Sequence, residues 1–334
     1  MSSTPMSAAG EQRGYFVHLE PAEMASFVKR DYEILASRFE MHRHFYQGTL
    51  HALADRAATY LGTIRSDFTF SWFAYLQAYW AVRYSQRLAK KSVVVLGGFD
   101  VCRDEDPQLA DRLESVRFIL RNADGLFAVS ERVRQQALEI VPSAQISLIY
   151  QGFDAEKYSI GRKDRIVTTI GYVRQGNLER KGLKVFVDAA ARLPKLKFFL
   201  VGKWLDDSVE YLRSIASSNV TFTGFLSEVD LLNLLRRTSV YVQASMHEGF
   251  GCSLAEAMLC GCVPVVSDRG AIPEVVGDTG TYIDPRNAES VAEGVDEAMT
   301  RVATGSLARN RIATLFPLER RRRLLLGAVE KVLE

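Results

Sequence analysis

Two glutamates flank a glycine-rich loop and the start of a predicted helix in this 334-residue chain. Glu248 stands directly before Gly249-Phe250-Gly251, and Glu256 follows Glu248 by eight positions. Glycines let backbone N–H groups approach a ligand closely, and a helix N-terminus favours negative charge. Two helical turns span roughly 11 Å, so the two carboxylates can serve opposite ends of one elongated ligand. Because carboxylates accept hydrogen bonds from hydroxyls, the pattern predicts a ligand with phosphates at the helix start and hydroxyl-rich groups on either side.

A purely structural role for the same residues is the main alternative. Ser253 and Glu256 have the Ser-x-x-Glu spacing of a capping box, with Ser253 as the predicted N-cap. Gly261 stands where a left-handed residue would end the helix, directly before the apolar run Val263-Pro264-Val265-Val266. In an arbitrary sequence the capping role would be the commoner one. Here the Gly-Phe-Gly loop and a two-domain organisation favour a ligand site.

Basic residues follow another predicted strand, which ends at Ile170-Gly171. Arg174 and Arg180 lie in the loop after this strand, and Lys181-Gly182 leads into the next predicted helix. A strand end, a glycine and a fixed cation can together hold a diphosphate without a metal ion. A solvated loop would have the same composition, and the sequence leaves both interpretations open.

Two further segments follow predicted strands. Gly97-Gly98-Phe99-Asp100 ends the most apolar strand of the first half, which predicts that Asp100 lies at the ligand-binding edge of the sheet. There the carboxylate either orients an acceptor or serves the turn, and the sequence does not decide between these roles. Gly224, Phe225 and Leu226 form a turn whose backbone and aromatic ring could line a nucleobase pocket, with simple packing as the commoner alternative.

Strands and helices alternate along the chain, which predicts an α/β fold with parallel sheets. Unalternating apolar runs such as Ser92-Val93-Val94-Val95-Leu96 are typical of strands covered on both faces. Because the alternation occurs twice, we expect two doubly wound Rossmann-like domains that face each other across a cleft at the carboxyl ends of their strands. The sequence predicts a disordered tail over 1–14, a first domain over 15–152 and a second domain over 153–315. A C-terminal helix over 316–334 is expected to pack back on the first domain.

Composition and motif searches exclude several other classes. A net charge of +2 gives no support for a non-specific nucleic-acid binder, and the four cysteines form no C-x-x-C unit that would predict a zinc site. The P-loop, the Gly-x-Gly-x-x-Gly dinucleotide pattern and the Gly-x-Ser-x-Gly nucleophile elbow are absent. Asp104-Glu105-Asp106 has the form of a metal-binding pair, but its place before Pro107 favours an acidic helix start. The aromatic stretch at 68–82 fits a buried strand and helix better than a membrane interface.

The second half of the chain resembles the family 4 (group 1) glycosyltransferases, which have the GT-B fold. Arg180-Lys181-Gly182 matches the Lys-Gly phosphate signature of that family, and Tyr150-Gln151-Gly152-Phe153-Asp154 is similar to its Asn-Gly-Val-Asp junction between domains. The resemblance implies two Rossmann-like domains and a retaining glycosyltransferase that needs neither a metal ion nor another cofactor. It is most specific in the segments Ser245-Met246-His247-Glu248-Gly249-Phe250-Gly251, Glu256-Ala257-Met258, Gly261-Cys262-Val263-Pro264-Val265-Val266 and Pro273-Glu274-Val275-Val276-Gly277.

Matched by position, the family's catalytic roles fall on residues already singled out. The resemblance implies that Glu248 binds hydroxyls of the donor sugar. It also implies that Lys181, with Arg174 or Arg180, neutralises the departing diphosphate. Glu248 and Lys181 are therefore catalytic candidates, and Asp100 is a third because of its place at the end of a strand.

The other donor contacts are expected from the helix after Glu248 and from the turn that could line a base pocket. The resemblance implies that Glu256 binds the ribose hydroxyls. The remaining candidates for donor binding are Gly224, Phe225, Leu226, Phe250, Gly251, Cys252 and Ser253.

The first half departs from the family pattern. Leu19-Glu20-Pro21-Ala22-Glu23 lacks the Gly-Gly loop usual after the first strand, and neither Gly98 nor Phe99 is the histidine that many members carry. Tyr172 replaces the arginine usual after Gly171. These departures fit a divergent first domain. They also keep two alternatives open, a sugar-nucleotide-binding protein without catalysis and a GT-B epimerase that acts at the sugar C2.

The expected partners follow from the same resemblance. The donor would be a UDP- or GDP-type nucleotide sugar, and the acceptor a glycan, a lipid-linked glycan or a small molecule bound by the first domain. No nucleic-acid partner is expected, and the oligomeric state is left open. The expected location is the cytoplasm, with peripheral contact at the inner face of the membrane as a further possibility.

Overall fold

The computed structural model describes residues 12–19, 25–48, 51–102 and 109–334, with the side chain of Leu109 left aside. The chain folds into two compact units. The domain boundaries predicted from the sequence fall at 152/153 and 315/316. Most of the predicted tail and the acidic run at 104–106 lie outside the described residues. Unit 1 takes the described residues up to Val129 with Arg134–Ile149 and Arg322–Glu334, and unit 2 takes Ser130–Val133 and Tyr150–Arg321.

Unit 1 is built on a sheet of six parallel strands, β1 (Arg13–His18), β2 (Glu40–Phe45), β3 (Phe68–Trp72), β4 (Lys91–Leu96), β5 (Gly125–Ala128) and β6 (Ile146–Leu148). Their order across the sheet is β2-β1-β3-β4-β5-β6. β3 is buried along its whole length, and β4 is buried from Ser92 onward. Unalternating burial is expected of central parallel strands, so the aromatic stretch at 68–82 belongs to the core, as the sequence favoured.

Among the described residues, five helices lie between these strands: α1 (Ser26–Ala36), α2 (Ala52–Ile64), α3 (Leu76–Arg87), α4 (Leu109–Asn122) and α5 (Glu131–Ile140). The Ser130 hydroxyl accepts a hydrogen bond from the Val133 N–H at 3.2 Å, so Ser130 caps α5.

Unit 2 also has six parallel strands, β7 (Asp164–Ile170), β8 (Lys197–Val201), β9 (Val220–Gly224), β10 (Thr238–Gln243), β11 (Val263–Val266) and β12 (Thr281–Tyr282). Their order is β12-β11-β10-β7-β8-β9. The chain order therefore reverses between β7 and β10. In open α/β sheets this switch point, at the carboxyl ends of the strands, is where ligands bind.

Nine helices follow in chain order: α6 (Gln175–Leu178), α7 (Leu183–Ala190), α8 (Ser208–Ile215), α9 (Glu228–Arg237), α10 (Cys252–Leu259), α11 (Ile272–Val276), α12 (Ala288–Thr300), α13 (Gly305–Leu315) and α14 (Leu318–Leu333). Residues 322–333 of α14 belong to unit 1, where Glu330 pairs with Arg38 at 2.8 Å. None of the helices in the described ranges is both long and apolar enough to cross a lipid bilayer.

Several helix ends follow the sequence signals. Gly261 has a φ of +75°, the left-handed conformation predicted at the end of α10. The Asn287 side chain accepts hydrogen bonds from the N–H groups of Glu289 and Ser290, so it caps α12. The sequence missed α13 because its buried positions hold small or widely spaced residues, and only Ile312 among them is large.

Glu274, in the Pro-Glu segment of the family resemblance, has a capping role within unit 2. Its carboxylate accepts hydrogen bonds from the N–H groups of Glu131 and Arg132, both at 2.8 Å, and from the Tyr150 hydroxyl at 3.0 Å. A carboxylate at the start of α5 complements the helix dipole. Burial and the Glu274 charge raise the pKa of Tyr150 to about 12, so this phenol is a stable donor at neutral pH.

Candidate functional site

The loops that follow β7 and β10 meet at the switch point of unit 2. The Met246 N–H, after β10, donates a hydrogen bond to the Arg180 carbonyl, after β7, at 2.8 Å. Gly182 has a φ of +64°, and a Cβ at this position would lie 2.1 Å from the Ala244 carbonyl oxygen. Only glycine lets the two loops approach so closely, which explains the Lys-Gly pair in the sequence.

Glu248 and Lys181 form an ion pair across these two loops, with Lys181 Nζ donating to Glu248 Oε1. The Glu248 side chain is 11% exposed and the Lys181 side chain 22% exposed. Glu248 Oε1 also accepts from Gln243 Nε2 at 2.7 Å and from the Ser245 hydroxyl at 2.8 Å. Glu248 Oε2 takes no part in these three bonds, so the pair presents one carboxylate oxygen and one ammonium group to a ligand.

The charge state of Glu248 is set by its partners. Burial opposes ionisation of this carboxyl, but the Lys181 ammonium and the hydrogen bonds from Lys181 and Ser245 outweigh it and hold its pKa below the usual range. Glu248 is therefore a carboxylate at neutral pH, and it acts as a hydrogen-bond acceptor.

The start of α10 differs from the sequence expectation in one respect. The predicted capping box is wrong, because α10 begins at Cys252 and its N-cap is Gly251, with a φ of +93°. The Ser253 hydroxyl lies 3.0 Å from the Tyr241 hydroxyl, which is itself 3.1 Å from Gln243 Oε1. The N-cap glycine has no side chain with which to cap this helix, and a helix N-terminus favours an anion.

The other predicted residues of this segment lie around that helix start. Phe250 is buried, and its ring stacks on the Phe153 ring with centroids 5.9 Å apart. Cys252 is half-buried and opens the helix, and Glu256 is half-buried on its second turn. Glu248 and Glu256 therefore lie on either side of the helix start, as the sequence predicted.

Asn177 organises the basic loop, and sequence reasoning missed it. Its side-chain oxygen accepts from Arg180 Nη2 at 2.6 Å and from Arg174 Nε at 3.4 Å. Its side-chain nitrogen donates to the Tyr172 carbonyl at 2.7 Å. Its backbone carbonyl accepts from the Lys181 N–H at 3.0 Å. The side-chain amide of Asn177 thus holds two of the predicted cations, Arg174 and Arg180, and its backbone carbonyl holds the backbone of Lys181.

An exposed aromatic group lies beside the basic loop. Val173 forms an isolated β-bridge with Trp204, after β8, and the turn after β9 places Gly224 against the Trp204 ring. Phe225 is 63% exposed, and Lys203 Nζ lies 4.8 Å from the centroid of its ring. Simple packing does not explain so exposed a ring. Leu226, next in the turn, is half-buried.

Asp100 stabilises the turn after β4. Its carboxylate is fully buried and accepts hydrogen bonds from the N–H groups of Ala74, Gly97 and Gly98 at 2.8 to 3.1 Å. Burial raises the pKa of this carboxyl, although the N–H bonds oppose the shift. Of the two roles that the sequence left open, the structural one fits these contacts, so the prediction of Asp100 as a catalytic residue is replaced by a role in the turn.

His247 gives a testable dependence of stability on pH. Burial lowers the pKa of its imidazole from 6.5 to about 4. As the pH falls from about 6.5 to about 4, the unfolded chain binds a proton that the folded chain does not, so we expect the free energy of unfolding to fall by about 3 kcal/mol from this group. His247→Asn should remove that component in urea unfolding at a series of pH values. An unchanged pH dependence in the variant would contradict this.

Metal independence stays a prediction. Among the described residues, no group of three His, Cys, Asp or Glu side chains converges in a way that could hold a metal ion, and the acidic run at 104–106 lies outside that part of the chain.

Known proteins are similar to unit 2 in sequence and to the chain as a whole in fold. Residues 154–310 match the family model described as Glycosyl transferases group 1. The serotype-specific mannosyltransferase WbdA of Escherichia coli is 26% identical over 205 residues, which cover 53% of this chain and 25% of WbdA. Glycogen synthase of Mycobacterium tuberculosis is 27% identical over 220 residues, which cover 60% of this chain and 52% of the synthase. The chain thus spans a quarter to about half of the length of these relatives.

The fold matches that of HepE from Anabaena, whose structure was solved in complex with UDP and glucose. The TM-score is 0.81 at 18% identity, and the match covers 96% of this chain and all of the HepE chain. These comparisons confirm the predicted fold and the resemblance carried by residues 245–277. The chain has the GT-B fold, and its residues 154–310 are similar to the family described as Glycosyl transferases group 1.

Proposed function

We propose that this chain transfers a sugar from a UDP- or GDP-type nucleotide sugar to a carbohydrate or lipid-linked acceptor, with retention of anomeric configuration and without a metal ion. The observation that carries the proposal is the largely buried Lys181–Glu248 pair, beside the uncapped start of α10 at the switch point of unit 2. The HepE structure with UDP and glucose supports a UDP-type donor.

The diphosphate is the first ligand group that this geometry suits. Lys181, Arg174 and Arg180 supply fixed positive charge, and the start of α10 supplies N–H groups and the positive end of a helix dipole. Charge develops on the diphosphate as the sugar leaves, so preorganised cations there lower the barrier without a metal ion.

The nucleoside and the sugar would lie on either side of the diphosphate. Glu256 accepts hydrogen bonds from the ribose hydroxyls, and the exposed Phe225 ring stacks on the base. Glu248 Oε2 accepts from hydroxyls of the donor sugar, while Oε1 keeps its three protein partners.

The reaction itself needs one bond exchange. The bond between the sugar C1 and the diphosphate oxygen breaks, and a bond from the acceptor oxygen to C1 forms on the same face of the sugar. The acceptor proton passes to the departing diphosphate. Unit 1 is the proposed source of the acceptor contacts.

A panel of UDP and GDP sugars, incubated with candidate acceptors in excess EDTA, tests this proposal. The proposal predicts a glycosylated product whose anomeric configuration, read by NMR, matches that of the donor. Nucleotide binding without any transfer would instead indicate the binding protein without catalysis. Release of nucleotide without a glycosylated product would indicate the epimerase, and an inverted product would contradict retention.

Asn177 offers a separate test of the basic loop. Asn177→Ala removes the acceptor shared by Arg174 and Arg180, and we expect calorimetry to show about tenfold weaker binding of the nucleoside diphosphate. The matched control is Asn219→Ala, because Asn219 Nδ2 donates to the carbonyls of Ala190, Leu193 and Leu196, outside the basic loop. This control should lower the melting temperature and leave the affinity unchanged. Equal affinity in both variants would contradict the role of Asn177.

A further inference from the structure

The strand β10 buries polar side chains on one of its two faces. Val240 and Val242 belong to the apolar core of unit 2. Tyr241 and Gln243 alternate with them and therefore lie on the opposite face, where they are 0% and 2% exposed. A parallel strand covered on both faces is normally apolar on both, so buried polar side chains here require hydrogen-bond partners. The proposed reaction gives neither of these two residues a role.

Tyr241 and Gln243 connect the start of α10 with the carboxylate of Glu248. Tyr241 Oη lies 3.0 Å from Ser253 Oγ, in the first turn of α10, and 3.1 Å from Gln243 Oε1. Gln243 Nε2 donates to Glu248 Oε1 at 2.7 Å. It also donates to Ser245 Oγ at 2.7 Å, and the Ser245 hydroxyl donates to Glu248 Oε1 at 2.8 Å. The contacts are therefore continuous from Ser253 to Glu248.

The charge of Glu248 fixes the orientation of the Gln243 amide. Burial opposes ionisation of Glu248, but Lys181 and the hydrogen bonds to the carboxylate hold its pKa below the usual range, so Glu248 has no proton to donate at neutral pH. Gln243 must therefore turn its NH₂ group toward Glu248 and its carbonyl oxygen toward Tyr241. Because a carbonyl oxygen only accepts hydrogen bonds, the Tyr241 hydroxyl donates to it.

The phenol of Tyr241 has one proton, and that proton is used for Gln243. The 3.0 Å contact between Tyr241 and Ser253 therefore has the Ser253 hydroxyl as its donor. Burial raises the pKa of Tyr241, so the phenol keeps its proton at neutral pH. The hydrogen bonds thus all run in one direction, from Ser253 to Glu248. The Ser253 hydroxyl proton is directed into the protein, away from a phosphate at the start of α10.

We propose that this directed chain of hydrogen bonds positions Glu248 for the donor sugar, with Tyr241 and Gln243 as its positioning residues. In this arrangement the Ser253 hydroxyl acts on Glu248 through the chain and does not bind the diphosphate. The inference deepens the proposed function and rests on it, because it takes Glu248 as the residue that binds the donor sugar. The chain holds Glu248 Oε1, and Oε2 remains for the sugar hydroxyls. The diphosphate is then bound by backbone N–H groups of α10 and by the basic loop.

Tyr241→Phe tests the chain, since it removes the phenol hydroxyl and keeps the ring. Without that donor the Gln243 carbonyl oxygen is buried and unpaired, so the amide no longer fixes Glu248. We expect steady-state kinetics on the donor found in the panel to show a kcat about tenfold lower, while calorimetry shows an affinity for UDP or GDP within about twofold of that of the unaltered protein. Ser253→Ala keeps the backbone N–H, and it should lower kcat about threefold without weakening the nucleotide.

The double variant Y241F/S253A separates one chain from two independent contacts. If Ser253 acts through Tyr241, kcat of the double variant should equal that of Tyr241→Phe alone, because residues of one hydrogen-bond network are not additive. A kcat lowered by the product of the two single losses would overturn the proposal. Weaker nucleotide binding in Ser253→Ala would also overturn it, because the Ser253 hydroxyl would then bind the phosphate directly.

Urea unfolding tests the chain without any turnover. Glu248→Gln replaces an acceptor by a group that can also donate, so the Gln243 amide is free to turn and depends less on Tyr241. Tyr241→Phe should therefore lower the urea midpoint by less in the Glu248→Gln protein than in the unaltered one. The matched control is Tyr15→Phe, which removes another buried phenol hydroxyl, the donor to the Ala58 carbonyl at 3.1 Å in unit 1. Its effect on the midpoint should be the same in both proteins.

The outcomes for the chain and for the proposed transfer are distinguishable. If no donor is turned over, the proposed function fails, and the unfolding measurement alone decides about the chain. Equal losses of midpoint for Tyr241→Phe in the two proteins would overturn the chain whatever the activity. If transfer is observed and Tyr241→Phe keeps full kcat, the chain does not position Glu248.

Discussion

Replacing Lys181 by alanine is expected to lower turnover of the nucleotide sugar by about a thousandfold. Two effects combine in this loss. The diphosphate loses a fixed cation where charge develops, and Glu248 loses the ammonium group that holds it as a buried carboxylate. Because the second effect leaves an uncompensated charge, we also expect weaker binding of the donor, and not only slower chemistry. Steady-state kinetics on the donor found in the panel measures both.

Lys184→Ala is the matched control for this change. Lys184 lies on α7, three residues from Lys181, and its Nζ pairs with Asp188 at 2.6 Å. The Lys184→Ala change should leave turnover within about twofold of that of the unaltered protein, because such partly exposed ion pairs contribute little to stability. Equal losses in the two variants would mean that Lys181 acts only through the stability of α7.

Replacing Glu248 by glutamine is expected to lower turnover by about a hundredfold to a thousandfold and the free energy of unfolding by about 3 kcal/mol. Glutamine keeps the volume and one acceptor oxygen but removes the charge that balances Lys181. Its amide NH₂ group is a hydrogen-bond donor, and it would face sugar hydroxyls whose hydrogen bonds a carboxylate would accept. Kinetics and urea unfolding on the same preparation separate the two effects.

Glu293→Gln, a change at an exposed position on α12, controls for the loss of one negative charge and should alter neither quantity. If Glu248→Gln loses stability but keeps full turnover, Glu248 only supports the loop, and another group binds the donor sugar.

The sequence predicts the elements around the site well, because each has a local signal. Apolar runs without alternation mark central strands such as β4, and Gly261 marks the end of α10. The pairing of Lys181 with Glu248, 67 residues apart, follows only once the parallel order of β7 and β10 is known. The sequence nevertheless predicts both residues, because each lies in the connection between a predicted strand and the helix that follows it.

The supporting residues could not be predicted, because their partners are distant in the chain or their types are unremarkable. Gln243 lies at the end of a strand, and nothing local shows that its amide reaches Glu248. Ser253 has the spacing of a cap, yet Gly251, with its left-handed backbone, takes that position, and the helix starts two residues earlier.

The substitution of Tyr172 for the family's arginine has a structural counterpart. Tyr172 is exposed, and its carbonyl is held by Asn177, which also holds Arg174 and Arg180. In our proposal these two arginines supply the positive charge further along the loop. We therefore expect each of these arginines to contribute more to binding of the diphosphate than Tyr172 does.

Calorimetric titration of UDP and GDP into the purified chain, in excess EDTA, tests the central claim most directly. The claim is that Lys181, the start of α10 and Glu256 together hold the nucleoside diphosphate. It predicts saturable binding of at least one nucleotide, at least about tenfold weaker in both Lys181→Ala and Glu256→Ala, and unchanged in Lys184→Ala. Absence of saturable binding, or equal affinity in the three variants, would contradict it.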